Sequence, residues 1–219
     1  MLLFIFLPGS KNILVTLFKK MQKPLIYKIC GALGIIGCVM VIASDFIGIA
    51  VHEEHDPISD TISMLAIGKY GWIQDRGLDL LALGYFALAV GLYSWKRKGT
   101  KWIISLIILV VISIDLVMIA EHNQYAGRPG YTGYNIHIEL VYLLAGLFLI
   151  LTILISFDLK QVRPFLKRFS LWIASLWLIF APFLPLIPDD LDGAYERLIC
   201  TLLVVWPAVL SYHLTKFSD

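Results

Sequence analysis

Residues 79–122 read DLLALGYFALAVGLYSWKRKGTKWIISLIILVVISIDLVMIAEH, two apolar runs joined by a basic knot at Lys96, Arg97, Lys98 and Lys101. Each run has the roughly 20 residues that carry a helix across a hydrocarbon core of ~30 Å. In lipid the backbone must satisfy its own N–H and C=O groups, so a run of that length reads as an α-helix. The same pattern extends both ways from this hairpin. It predicts helices at 24–51, 73–95, 101–122, 136–157, 168–187 and 195–215, an all-α, polytopic integral membrane protein built as a six-helix bundle. At 59% hydrophobic residues and a mean hydropathy of +0.81, the 219-residue chain lies outside the soluble range. Six spans consume most of the length, so 24–215 reads as one membrane domain.

Charge orients the bundle. Lys11, Lys19, Lys20, Lys23 and Lys28 precede or open the first helix, and the 96–101 knot joins the second to the third. Lys160, Arg163, Lys167 and Arg168 join the fourth to the fifth, and Lys216 follows the sixth; together these are 14 of the 18 Lys and Arg. Positive residues stay cytoplasmic, so both termini are expected inside. The opposite face, with 12 of the 16 acids and four of the five histidines, is expected outside a cell inner (plasma) membrane. A net charge of +2 conceals this asymmetry. The basic side suits anionic lipid headgroups and is the ordinary topology signal, not a nucleic-acid surface. The expected partners are membrane lipids, and an oligomer or partner subunit is compatible with the pattern.

The N-terminal residues 1–23 admit two readings. Ile13, Leu14, Leu17, Phe18 and Met21 would share one face of an interfacial amphipathic helix; alternatively, Met21 is the true start and the preceding residues are an extension. Cys30 and Cys38 lie eight residues apart on one helix, too far to bridge. With Cys200 they read as small packing residues. The first outer connection opens with Asp56-Pro57, an N-cap followed by proline at the first helical position. Ile58, Ile62 and Leu65 recur at helical spacing and Gly68 is a stop, which predicts a short surface helix over 57–67.

Chemistry concentrates on the outer side. Ionisable residues inside a bilayer are costly and face the bundle interior or a water-filled cavity. Asp45 and Asp115 are two such residues, each seven positions before a histidine, in Asp45…His52 and Asp115…His122. That spacing puts each pair on one helical face, and four of the eight positions match between the two segments. Joined by His137 and Glu139 at the head of the fourth helix, these residues are expected to converge on one outward pocket. Asp79 and Arg197 would reach the same level, Arg197 to meet an anionic headgroup. His52, His122 and His137 are the candidate ligands for zinc or another divalent metal, which would activate water. Without a metal, the His–Asp pairs would move protons. Their bland alternative is an interhelical polar clasp, and His55 reads as part of a solvated face.

The segment Asp56-Pro-Ile-Ser-Asp-Thr-Ile-Ser-Met-Leu65, with His137 opening the fourth helix and Gly193-Ala-Tyr-Glu-Arg-Leu198 opening the sixth, resembles a bacterial membrane family. This is the family called domain of unknown function number 998. The resemblance covers about residues 24–215, implies a six-helix bundle, and brings no established activity. It points to Asp56, Ser59, Ser63, His137, Glu196 and Arg197. The functional expectation is a metal-assisted or acid–base hydrolase acting on a lipid or amphiphile. Its catalytic set would come from Asp45, His52, Ser59, Asp60, Ser63, Asp115, His122, His137 and Glu139, with Arg197, Glu196 and Asp79 on the substrate. The alternatives are a structural or accessory subunit and a proton- or cation-coupled transporter.

Overall fold

A computed structural model describes the backbone of residues 10–95 and 99–216, and the side chains from residue 24 onward within them. The described residues form six long α-helices: α1 Ser10–Val51, α2 Trp72–Tyr93, α3 Thr100–His122, α4 Thr132–Leu159, α5 Pro164–Phe180 and α6 Asp192–Thr215. Short 3-10 turns at Ile62–Ala66, Asn123–Tyr125 and Ala181–Leu186 sit between or extend them. Six stretches are long and apolar enough to cross a membrane. The chain is a multi-pass membrane protein. Large hydrophobic side chains are exposed on every helix, among them Phe46, Phe86, Ile114, Tyr142, Trp172 and Leu198, which suits a hydrocarbon solvent and not water.

Consecutive helices pack side by side, and α1 closes the ring against α6, with α2 also touching α6. Small residues allow the closest approaches, as they do between helices in lipid. A side chain on Gly37 of α1 would meet the Leu80 carbonyl of α2 at 2.4 Å. One on Gly77 of α2 would meet Ser44 Oγ at 1.9 Å. Hydrogen bonds then stitch neighbour to neighbour. Ser113 donates to the Ala82 carbonyl at 2.8 Å, Trp177 Nε1 to that of Ala145 at 3.0 Å, Tyr85 to that of Leu203 at 2.7 Å, and Trp206 Nε1 to Ser170 Oγ at 3.0 Å.

Span limits agree with the sequence pattern to within a few residues, except at two ends. α4 begins at Thr132, inside the Gly- and Tyr-rich connection, and α5 begins at Pro164, with proline tolerated at the first helical position. The helix α1 runs unbroken from Ser10 through Pro24. The amphipathic face expected within 1–23 depends on side chains outside the described residues.

The surface helix expected over 57–67 needs correction. Only Ile62–Ala66 is helical, as a 3-10 turn capped by Ile67 and followed by Gly68 with φ +90°. Asp56 does make its expected cap bond, accepting the Ile58 N–H at 3.0 Å. No α-helix follows, because the carbonyls that would propagate it are engaged elsewhere. Those of Pro57, Ile58, Ser59 and Asp60 all accept donors from α6.

Candidate functional site

The first turn of any helix has N–H groups without intrahelical acceptors. In α6 two of these find the 57–60 loop: Ala194 N–H donates to the Ile58 carbonyl at 2.8 Å and Gly193 N–H to that of Ser59 at 3.3 Å. One turn on, Arg197 takes the flanking carbonyls. Its Nη1 donates to Pro57 O at 2.8 Å, Asp60 O at 2.9 Å and Gly193 O at 3.2 Å. Its Nε and Nη2 hold Asp45 of α1 at 3.2 and 3.0 Å. Both partners are 18% exposed. The Nη2 also reaches His55 Nε2 at 3.1 Å. A guanidinium carries five N–H donors, and here every one is engaged.

His55 completes this clamp. Its side chain is 6% exposed and its Nδ1 lies 3.7 Å from Asp60 Oδ2. Its Nε2 can accept from Arg197 only in the neutral ring, with the proton on Nδ1. Burial, with the Arg197 cation beside it, holds the His55 pKa below its ordinary value, against the opposing pull of Asp60 and Asp45. Asp60 in turn accepts the Asp56 N–H at 2.9 Å. The neighbouring Glu196 accepts the Ile62 N–H at 2.6 Å, tying the 3-10 turn down as well.

Beneath this tied-down turn lies a cavity of about 160 Å³ inside the helix ring. Its walls are apolar, from Leu78, Leu81, Leu116, Trp177, Leu203 and others. Its polar lining comprises Ser63, Gln74, Asn123, His137 and Glu196 with Tyr142, Trp177 and Cys200, and no Lys or Arg is among the lining residues. Ser63, Gln74, Asn123, His137 and Glu196, each within about two turns of its helix's acidic end or on the turn above it, form a polar collar. Ser44 Oγ lies 2.8 Å from Val41 O and 3.1 Å from Gln74 Oε1, so Gln74 is held from behind. Asn123 donates to Asp75 Oδ1 at 3.2 Å, and its own Oδ1 is buried without a partner. His137 is 4% exposed and its Nδ1 also lacks a partner. Buried polar atoms are nearly always satisfied, so two orphans lining one cavity point to an occupant.

The expected residues thus separate into groups. Ser63, His137 and Glu196 meet at the cavity. Asp45, Asp60 and Arg197 meet in the clamp, to which Ser59 contributes its carbonyl. Arg197 has no donor left for a headgroup. His52 contacts Tyr70 edge-on with ring centroids 6.2 Å apart, and its buried Nε2 is unpartnered. His122 turns back on its own helix, Nδ1 to Met118 O at 2.8 Å. Among the described residues no three His, Cys, Asp or Glu side chains stand as a group able to share a metal ion, so His52, His122 and His137 are not assembled into one. Asp115 is 3% exposed with both carboxylate oxygens unpartnered. Asp79 pairs with Arg76 and lines a separate polar groove with Asp75, Glu121 and Arg128. Glu139 is exposed on α4. Gln74 and Asn123 were missed from the sequence, being uncharged amides at helix ends, where capping is the default reading, and His55, read there as part of a solvated face, is instead buried in the clamp.

A family model described as "Protein of unknown function (DUF998)" matches residues 35–213. No curated protein and no solved structure matches the chain.

Proposed function

The chain belongs to the DUF998 family, whose function is unknown, and from its own geometry we propose that it takes an amphiphile into the cavity and hydrolyses it there by acid–base catalysis. The observation that carries this reading is the apolar cavity beneath a collar holding two unpartnered buried polar atoms, His137 Nδ1 and Asn123 Oδ1. Ligand pockets have this composition, apolar walls with a few placed polar groups. The tail would lie against Leu116, Trp177 and Leu203, with the scissile bond at His137. His137 takes a proton from water as the oxygen adds to an acyl carbon, then returns it to the departing group. The Ser63 hydroxyl would donate to the reacting carbonyl, and Asn123 Oδ1 would accept from the head of the substrate. If a divalent metal assists, His137 is the one member of the expected triad that lines this cavity.

The basic-residue distribution supports placing the acidic, His-rich face outside an inner (plasma) membrane with both termini inside. Single cysteines at Glu54 and at Lys98, in a chain freed of Cys30, Cys38 and Cys200, would label from opposite sides with an impermeant maleimide. The activity is tested by incubating the nanodisc-held protein with a panel of acyl esters and amides. Release by wild type and its loss in His137→Ala support the reading; equal release by both sinks it.

Asp115 supports a second reading, proton- or cation-coupled transport, because an unpartnered carboxyl inside a bilayer is costly and usually functional. Proton uptake into liposomes that vanishes in Asp115→Asn would favour it.

A further inference from the structure

We infer that the cavity selects a single-chain amphiphile whose head donates hydrogen bonds and bears no negative charge. We further infer that this ligand enters sideways from the bilayer, between Tyr142 of α4 and Pro185 at the end of α5. Both parts rest on the cavity being a binding site.

The head follows from an inventory of the collar. Asn123 spends an amide N–H on Asp75 and keeps its Oδ1 unpartnered. Glu196 spends one carboxyl oxygen on the Ile62 N–H and lines the cavity. His137 offers Nδ1, an acceptor when the proton is on Nε2. The two collar atoms buried without a partner, Asn123 Oδ1 and His137 Nδ1, are acceptors in that state, one member of the collar is a carboxyl, and the donors beside them, Ser63 Oγ and the Gln74 amide, carry no charge. A phosphate or carboxylate head would meet these oxygens with no cation to answer it. Among the described residues no Lys or Arg lines the cavity, and Arg197, adjacent in sequence to Glu196, has all its donors engaged by Asp45, His55 and three carbonyls. Burying an unpaired charge is among the most expensive acts available to a ligand. A hydroxyl, amide N–H or amine meets the same oxygens favourably.

The tail follows from volume and from the wall. A dry apolar cavity of ~150 Å³ holds one benzene, so about 160 Å³ holds a short stretch of one chain and no second chain. The remainder must leave the ring. Most of the lining is buried or half-buried, but Tyr142 is 59% exposed and Pro185 is also exposed, while both line the cavity. At those residues the wall is one side chain thick. The chain there is irregular: α5 gives way at Ala181 to a 3-10 turn containing Pro185, which cannot donate a backbone bond to seal the ring. That gap faces the hydrophobic surface of the bundle, so the distal tail lies in the bilayer.

Tryptophan quenching tests both parts, using the full chain in nanodiscs and probes of one chain length brominated near the head. The probes are a monoacylglycerol, a lysophosphatidic acid and a free fatty acid. Trp177 lines the cavity, so the quenching that disappears in Trp177→Phe is the cavity's signal. The hydroxyl-headed probe is expected to produce it at a concentration at least tenfold lower than either anionic probe. Equal or better quenching by an anionic head overturns the head assignment while leaving the cavity as a binding site. No Trp177-dependent quenching by any probe overturns the binding reading itself. For the portal, Tyr142→Cys in the chain freed of native cysteines is coupled to a bulky maleimide. Quenching by the hydroxyl-headed probe should slow at least tenfold, whereas the same label on Phe157→Cys, exposed near the other end of α4, should leave it unchanged. Equal rates for the two labelled variants overturn lateral entry.

Discussion

Replacing Arg197 with alanine would leave Asp45 as a carboxylate 18% exposed without its cation. Removing one partner of a largely buried ion pair typically costs about 3–5 kcal/mol, most of it the desolvation of the survivor. The carbonyls of Pro57, Asp60 and Gly193 lose a charged donor as well. They sit where the loop can lift and admit water, so the total is kept at that same ~3–5 kcal/mol. At ~2–4 °C per kcal/mol for a chain of this size, the midpoint should fall by roughly 6–20 °C. The assay is thermal unfolding in detergent, with hydrogen exchange followed over 52–61 and 192–197. Exchange should rise in both segments together. Asp45→Leu combined with Arg197→Met removes both charges, and should be less damaging than Arg197→Ala alone. Two results would refute the reasoning: a loss under ~1 kcal/mol for Arg197→Ala, the range of surface pairs, or strictly additive effects of the Asp45 and Arg197 replacements.

The His55 pKa is held down from its ordinary 6.5, so the unfolded loop binds a proton more readily than the clamped one. Clamp stability is therefore complete above about 6.5 and declines as pH falls through the folded value. Exchange over 52–61 should rise at pH 5 relative to pH 7.5, and His55→Gln should flatten that difference; an unchanged profile in the variant refutes it. Glu196→Gln retains an acceptor for the Ile62 N–H and should cost under ~1 kcal/mol, whereas Glu196→Ala strands that donor and should cost ~1–3 kcal/mol by thermal unfolding. Gly193→Ala would bring a methyl to 2.1 Å from the Asp60 carbonyl; overpacking of this kind costs ~1–3 kcal/mol, read as a lower midpoint with increased exchange in the loop. Asp115→Leu should raise the midpoint, because both carboxylate oxygens are buried unpartnered; a comparable fall would mean that the carboxyl has a partner in the membrane.

The six spans were legible because hydrocarbon leaves the backbone no alternative to the helix, so a run such as 102–120 needs no tertiary context. Glu196, Arg197, Asp60 and Ser63 were identified from the segments at 56–65 and 193–198, and the structure brings the two segments together, Asp60 to Arg197 in the clamp and Ser63 with Glu196 at the cavity. What a residue contacts was harder to read. Asp45 was placed beneath His52 by seven-residue spacing, yet its partner comes from 152 positions away. Helical spacing reports which face a residue occupies, not which neighbour that face meets. The 57–67 helix failed for a related reason. Its local signals were sound, but α6 engages four successive carbonyls, and such competition is invisible within the segment. His55 was read as solvated, and its burial against Arg197 and Asp60 comes from contacts that its own segment does not show.

The clamp also imposes an order in time. The Asp60 carbonyl and the Arg197 side chain that binds it are 137 residues apart in sequence. At ~5–20 residues per second, the ribosome needs roughly 7–27 s to make the intervening chain. During that interval the four helices α2–α5 are synthesised while the loop above α1 lacks the α6 donors that hold its carbonyls. A nascent chain halted before α6 would therefore present an untethered segment on one face of the membrane, a structural mark by which a surveillance protease can tell unfinished molecules from finished ones.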